Sequence, residues 1–429
     1  MKIKITSLFK AGLYFCLIWD TLLLSMFNFQ MGGKRYSIMF AVAFLLTLLL
    51  VTNKNRIKLV GQSIKWPKIY FVLVCIMLLL HMGYAVMFKG VSFGAFAHNA
   101  WYYLMCIWAF PIIYILKKDN GTDGFWKIVN TIMFVWYSWL LVEYVAYQYA
   151  GIVLSPAILE SVRGVRIRND TSRLEMKALA HIAIIYNFDK FYNQLEKKNR
   201  IKHLAMSLYG IAIMVIVEQT RGYFIAVFGA IAVLIMCYNK KTIKFFVSGL
   251  IVLIAVCVMF RTQLLSNFLD VLFSTKESGA TGATGLVRVR GMTEFWNQFI
   301  NNPLFGYGFQ ETGDFATTAS GIFYFNDDGF LGIVGQIGVW AFIIYGTMVV
   351  RFGYIVSKLF KAKDYKHGTL LLGLYVYMLL TSISLMCYWN TTCLLCPVLW
   401  ARFEVGYSEF QINSYLNSTG KELCDCESI

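Results

Sequence analysis

The sequence predicts an all-α integral membrane protein: one polytopic domain over residues 1–429, with about twelve membrane-spanning helices. Three observations carry this. The chain is 58% hydrophobic and only 14% charged, where a soluble domain carries about a quarter charged residues. Long apolar runs recur from end to end, and about 20 such residues cross the hydrocarbon core as a helix, the fold that pairs every backbone polar group there. Lysine and arginine concentrate in alternate connections, as the positive-inside rule requires. That pattern accounts for the net charge of +16 without nucleic acid, and names the lipid bilayer as the surrounding partner.

In order, the first apolar run, 8–29, follows Lys2, Lys4 and Lys10. It is too long for a signal-peptide core, and no small-residue cleavage site follows it, so it reads as a first span with the N-terminus inside. The second span covers 36–52. Lys54, Arg56, Lys58, Lys65 and Lys68 mark an inner connection. Spans three and four cover 69–88 and 95–116, and Lys117, Lys118 and Lys127 mark the next inner loop. Span five is 125–150, and a short span six is 178–188. Span seven, 204–217, turns tightly through Glu218-Gln219-Thr220-Arg221-Gly222 into span eight, 223–238. Span nine, 245–260, leads to a large outer loop, 261–329. Spans ten, eleven and twelve cover 329–350, 369–387 and 391–402, leaving an inner tail at 403–429. Both termini are expected on the cytoplasmic side.

The ten cysteines form no disulfide framework. Cys16, Cys75, Cys106, Cys237 and Cys257 lie in apolar runs as small core hydrophobes. Cys393 and Cys396 have CxxC spacing but sit in a span, and Cys424 and Cys426 sit in the tail. No metal site and no cofactor is expected.

The outer face collects residues that the charge rule does not explain. Arg163, Arg166, Arg168, Arg173, Arg221, Arg288 and Arg290 all fall there. A guanidinium is a planar fork that fits phosphate oxygens bidentately; the competing role is snorkelling to lipid headgroups. Asp20, Glu143 and Glu218 fall within spans, where a charge costs roughly 2.5–3.5 kcal/mol. Each is either a functional group or one half of an ion pair with an outer arginine. His203 and His367 flank inner loops, and His81 lies deep in span three. His98 and His181 lie near outer helix ends, where each is either a general base or a hydrogen-bonded core residue.

Within the large loop, 263–273 has helical periodicity, and 278–285 (SGATGATG) reads as a hinge. Met292, Trp296, Phe299 and Ile300 then recur at helical spacing opposite Glu294, Asn297 and Gln298, as in an amphipathic helix lying in the interface. Asn302-Pro303 ends it, and Gly306-Tyr307-Gly308 makes a tight turn. Asn326-Asp327-Asp328 stands before span ten. These residues are either helix caps or carboxylates that accept a proton from a sugar hydroxyl.

Together these pieces resemble the O-antigen polymerase and O-antigen ligase superfamily. Three stretches carry the resemblance: Thr220-Arg221-Gly222 opening a span; Arg290, Trp296 and Asn302-Pro303-Leu304-Phe305-Gly306-Tyr307-Gly308; and Asp328-Gly329-Phe330-Leu331 followed by Gln336-Ile337-Gly338-Val339-Trp340. Two departures stand out. The family's arginine lies four residues before the tryptophan, where this chain has Met292. Ligases usually show a His-Asn or His-Ser pair where this chain has Asn326-Asp327-Asp328, and an acidic pair there looks more like the polymerase branch.

The resemblance implies a GT-C-like, metal-independent inverting glycosyltransferase of the bacterial cytoplasmic membrane. Its substrates would be undecaprenyl-diphosphate-linked oligosaccharides, joined into O-antigen, capsule or exopolysaccharide, with a chain-length regulator as a further partner. Arg221, Arg288 and Arg290 would neutralise the diphosphate, and Asp328 or Asp327 would deprotonate the acceptor hydroxyl. Arg163, Arg166 and Arg173 would hold a second diphosphate or an anionic sugar. Trp296 and Tyr307 would stack on sugar faces, while Glu218, His98 and His181 remain candidates for substrate contact. The alternatives are a ligase that passes the glycan to another acceptor, and a polysaccharide flippase or transporter.

Overall fold

The computed structural model describes residues 4–21, 23, 34–118, 122–155, 166–168, 171–174, 176–238, 280–311, 315–318, 321–325, 328–383, 386 and 392–419. It is overwhelmingly helical. Helices α1 (Ile5–Asp20), α2 (Lys34–Val51), α3 (Lys54–Val60) and α4 (Lys65–Lys89) come first. The Asn53 side chain accepts from the backbone N–H groups of Asn55 and Arg56, so α3 starts at a capped end and leaves α2 at a bend of 103°. Gly90, at φ 66°, ends α4. Ser92 then caps α5 (Phe93–Leu104), which passes through one 3-10 turn into α6 (Ala109–Lys118). Helix α7 (Thr122–Ala150) follows, then the hairpin β1 (Arg166–Arg168) and β2 (Thr171–Arg173).

The second half holds α8 (Ala178–Asn193), α9 (Lys197–Ile213), a π-helical turn at Met214–Glu218, and α10 (Arg221–Tyr238). After α11 (Ala280–Asn301) comes a hairpin of β3 (Phe315–Thr318) and β4 (Gly321–Tyr324). The chain closes with α12 (Gly329–Ile337), α13 (Val339–Lys361), α14 (Tyr365–Thr381) and α15 (Leu395–Thr419).

Five of the described helical stretches are long and apolar enough to cross a membrane: Lys65–Lys89, Phe93–Lys118, Asp123–Ala150, Lys197–Glu218 and Val339–Lys361. Counting the bent pair Tyr36–Val51 with Lys54–Val60 makes six. These cover expected spans two, three, four, five, seven and much of ten. Expected span nine, and the helical pattern at 263–273, lie outside the described residues.

Two expectations need correction. Span ten is not continuous: Gly338, at φ 62° and ψ −139°, breaks it into α12 and α13. The hinge expected at 278–285 is, from Ala280 onward, the first turns of α11; its small residues lower helix propensity without forbidding a helix. On the same helix, Gly291 and Phe295 are buried, while Trp296 is 45% and Ile300 62% exposed. Close packing takes the small-plus-aromatic face, and the Trp–Ile edge of the expected amphipathic stripe is left uncovered by the rest of the chain. The last helix also runs past 403, with Phe403, Glu404 and Val405 buried.

The core is a continuous layer of apolar side chains that includes fully buried Trp108, Trp126, Trp136 and Trp400. Buried polar links staple it. Arg351 makes a two-pronged contact with Glu404 at 2.7 and 2.9 Å, and its guanidinium lies over the rings of Trp66 and Tyr407.

Candidate functional site

The site is built around α14. Helices α10 and α14 pack closely through glycines. A Cβ added to Gly229 would meet Leu380 at 2.5 Å, and one added to Gly373 would meet Leu234 at 3.2 Å. Residue 229 therefore faces 380 and 234 faces 373, so the two helices are antiparallel. The turn that opens α10 at Arg221 thus lies toward the C-terminal end of α14.

The approach to that turn is unusual. The α9 helix widens into the π turn at Met214–Glu218, and Gln219 then adopts φ 51° and ψ 28°. A non-glycine residue there is uncommon, and π turns recur at functional sites. The Gln219 N–H donates to the Met214 carbonyl at 3.0 Å, and the Thr220 hydroxyl donates to the Glu218 carbonyl at 3.4 Å. Glu218 is fully buried. Its Oε2 lies 2.8 Å from His181 Nε2, and His181 Nδ1 lies 3.1 Å from the Tyr377 hydroxyl on α14. The His181 ring packs on Tyr223 with centroids 4.0 Å apart. Buried polar groups need such partners. His181 and Glu218 thus come together, away from the surface.

The same end of α14 holds the acid. The Phe330 N–H donates to the Ser382 carbonyl at 2.8 Å, and a Cβ on Gly329 would stand 2.3 Å from that oxygen. Asp328, the preceding residue, is 3% exposed. It occupies the N-cap position of α12, yet its side chain makes no capping bond there. Instead the carboxylate packs against α11: a Cβ added to Gly291 would lie 2.4 Å from Asp328 Oδ2 and 3.2 Å from the Phe323 ring. Arg290 is the residue beside Gly291, and both Arg288 and Arg290 are exposed on α11.

Glycines spaced by three make this packing possible. Gly329, Gly332 and Gly335 of α12, and Gly338 just after it, clear successive sides of the helix, where added Cβ atoms would strike Ser382, Phe325, Phe295 and Pro303 respectively. This is the physical content of the glycine-spaced span in the sequence.

The remaining expected residues are placed as follows. The β1–β2 register pairs Arg166 with Arg173, and the Leu174 N–H after β2 donates to the Val217 carbonyl at 3.1 Å. That bond brings the arginine hairpin to the turn at Glu218. Trp296 stands on the outer edge of α11 with Phe299, centroids 5.4 Å apart. Tyr307 is half-buried against Phe295 and Phe325. Burial first, and the Glu294 carboxylate second, push its hydroxyl above its ordinary pKa, so it stays a neutral donor.

His98 is exposed on α5; its neighbour Asn99 donates to the Gln310 carbonyl at 2.6 Å. Of the acids in spans, Glu143 accepts from the backbone N–H groups of Leu154 and Ser155, and Asp20 accepts from the Cys393 thiol at 3.7 Å. Arg163 and Asp327 lie outside the described residues. Among the described residues no group of three or more His, Cys, Asp or Glu could hold a metal ion.

Sequence reasoning missed Tyr377, Ser382, Gly291 and Phe323. A lone tyrosine in an apolar run and a glycine beside an arginine carry no chemical signature of their own. Only the pairing of α14 with α8 and of α11 with α12 reveals their positions.

Residues 205–346 match the O-antigen ligase family. The resemblance stated from the motifs is borne out over that stretch. The O-antigen ligase match runs from α9 into α13. It takes in Glu218, Arg221, Arg288, Arg290, Trp296, Tyr307 and Asp328, and leaves His98, Arg166, Arg173, His181 and Tyr377 outside. A comparison with curated proteins finds no match. The chain is thus mainly helical, with several stretches long and apolar enough to cross a membrane, and its residues 205–346 are similar to the O-antigen ligase family.

Proposed function

We propose that the chain is a polymerase that joins undecaprenyl-diphosphate-linked oligosaccharide repeat units by inverting glycosyl transfer on the outer face of the bacterial cytoplasmic membrane. The observation that carries this is Asp328. It stands where a helix cap would stand but makes no capping bond, and its carboxylate is held beside the arginine-bearing stretch of α11. A residue spent only on capping would bond the first turn of its helix.

In this reading the acceptor hydroxyl of one lipid-linked unit attacks the anomeric carbon of another. The new glycosidic bond forms as the bond from that carbon to the diphosphate oxygen breaks. The hydroxyl proton passes to the Asp328 carboxylate, a role worth about 10²–10⁴ in rate, with Asp327 as the second candidate. Arg221, Arg288 and Arg290 neutralise the departing diphosphate, and Arg163, Arg166 and Arg173 hold the second anionic group. Trp296, Tyr307 and His98 contact the sugars. No metal takes part, and a chain-length regulator sets polymer size.

A ligase is the second reading, favoured by the family whose description the matched stretch carries. A gel of surface polysaccharide from a deletion strain, complemented with the wild-type chain or with Arg221→Ala, separates the two. A polymerase deletion leaves single repeat units attached to the surface, and Arg221→Ala fails to restore the ladder at normal membrane levels. Loss of all attached polysaccharide with accumulation of lipid-linked polymer makes it a ligase. An unchanged ladder overturns both and moves transport to the front.

A further inference from the structure

Helices α8 and α14 are tied by polar side chains toward both ends, with α10 as the third partner at one end and the π turn after α9 at the other. At one end Tyr238 donates to Asp189 Oδ1 at 2.6 Å, Asn193 donates to Asp189 Oδ2 at 3.2 Å, and Thr369 bonds Tyr238. There the helices keep regular geometry, and the cluster reads as a lock. At the other end His181 of α8 and Tyr377 of α14 join Glu218 of the π turn after α9, with Tyr223 of α10 packed on the His181 ring, and the backbone beside them is not regular. The π turn and the left-handed Gln219 follow at once. Such a conformation persists only where its surroundings over-determine it.

We infer that His181, Glu218 and Tyr377 are positioning residues that set the turn bearing Arg221 relative to Asp328, with α14 as their common strut. The inference rests on the glycosyl-transfer reading of that site. His181 and Glu218 are both fully buried, so their effect on a lipid-linked sugar passes through the backbone they hold. Glu218 is the last residue of the π turn and lies three before Arg221. His181 fixes its carboxylate at 2.8 Å, and Tyr377 fixes His181 at 3.1 Å. Five residues after Tyr377, the Ser382 carbonyl holds the N–H of Phe330, two residues after Asp328. At 1.5 Å per residue that places the two anchor points about 7.5 Å apart along α14. The arginine turn and the acid turn therefore hang from one short stretch of one helix. Loosening Glu218 shifts one against the other without removing either.

The test uses the full-length protein in phospholipid vesicles, with lipid-linked repeat units extracted from the deletion strain as donor. Turnover, donor KM and thermal midpoint are measured for Glu218→Ala, Glu218→Gln, Tyr377→Phe and, at the far lock, Asp189→Asn. Glu218→Ala should lose about 10²-fold in kcat, the cost of roughly 1 Å of misplacement, with donor KM unchanged. Glu218→Gln should recover most of that loss, because an amide still bonds the His181 ring in its other tautomer. Tyr377→Phe should fall between the two. Asp189→Asn should lower the thermal midpoint and leave the kcat of the folded protein alone.

Glu218→Gln as inactive as Glu218→Ala overturns the inference, since the charge itself would then be at work. So does Glu218→Ala behaving like Asp189→Asn, the signature of a second lock. Arg221→Ala and Asp328→Asn run alongside. Full turnover in both removes the transfer site itself, whereas their loss together with an intact Glu218→Ala removes the relay alone.

Discussion

Replacing Gly291 by alanine adds one methyl group at the point where α11 touches Asp328. The new Cβ would lie 2.4 Å from Asp328 Oδ2 and 3.2 Å from Phe323 Cδ1, while Cβ contacts under 3.0 Å are essentially never seen. The carboxylate must therefore retreat by at least 3.0 − 2.4 = 0.6 Å. At about 10²-fold in rate per 1 Å of misplacement, this predicts a loss of roughly tenfold or more in glycosyl transfer. Stability should change far less. Overpacking costs about 1–3 kcal/mol, and alanine regains about 1 kcal/mol over glycine inside a helix. The assay is polymer formation at matched membrane levels, with the thermal midpoint measured on the same preparation. Gly83→Ala in α4, where an added Cβ meets nothing within 4 Å, is the control. Wild-type turnover in Gly291→Ala with an unchanged midpoint would refute the assignment of Asp328 as the proton acceptor.

Other substitutions test the scaffold. Gly332→Ala puts a Cβ 1.9 Å from the Phe325 carbonyl oxygen, a backbone atom with nowhere to go, so the variant should fail to accumulate as a monodisperse peak in detergent. Gly338→Ala meets both φ 62° and a Cβ 2.4 Å from the Pro303 oxygen; backbone strain alone costs about 1–3 kcal/mol, read as a lowered thermal midpoint. Arg351→Ala leaves Glu404, 2% exposed, buried without its cation and should cost about 3–5 kcal/mol; Arg351→Lys should fall between, keeping charge but losing the fork. Polymer formation should be insensitive to EDTA, and its loss on chelation with recovery on adding a divalent cation would contradict the metal-independent reading.

The apolar runs made the helical membrane architecture legible, because the length and continuity of a run are properties of the sequence itself. The end of α11 was legible from Asn302-Pro303, whereas the caps at Asn53, Ser92 and Gly90 were not singled out. The break at Gly338 was not, since DGFLGIVGQIG reads as one apolar span until the neighbouring Pro303 carbonyl is seen to need the space. The apolar stripe of α11 was legible, but periodicity did not reveal that Gly291 and Phe295 form the face that the rest of the protein covers. For the site, charge on the outward face singled out Arg221 and Asp328. Glu218 and His181 were noticed as anomalies, yet their pairing could not be read, since 37 positions separate them and neither shares a motif with the other. Tyr377 left no trace, because one hydroxyl in a long apolar helix looks like any core tyrosine.

Helix α14 also works as a ruler. Its two anchor points sit five residues apart, and each residue of an α-helix advances the face by about 100°. One residue inserted between Tyr377 and Ser382 would swing one anchor about a quarter-turn away from its partner while leaving composition and hydrophobicity untouched. Lengths in the connections around the two hairpins do not enter this spacing; the interval from 377 to 382 sets it. Chimaeras that exchange outer segments between related chains should therefore cut outside this interval and keep its count.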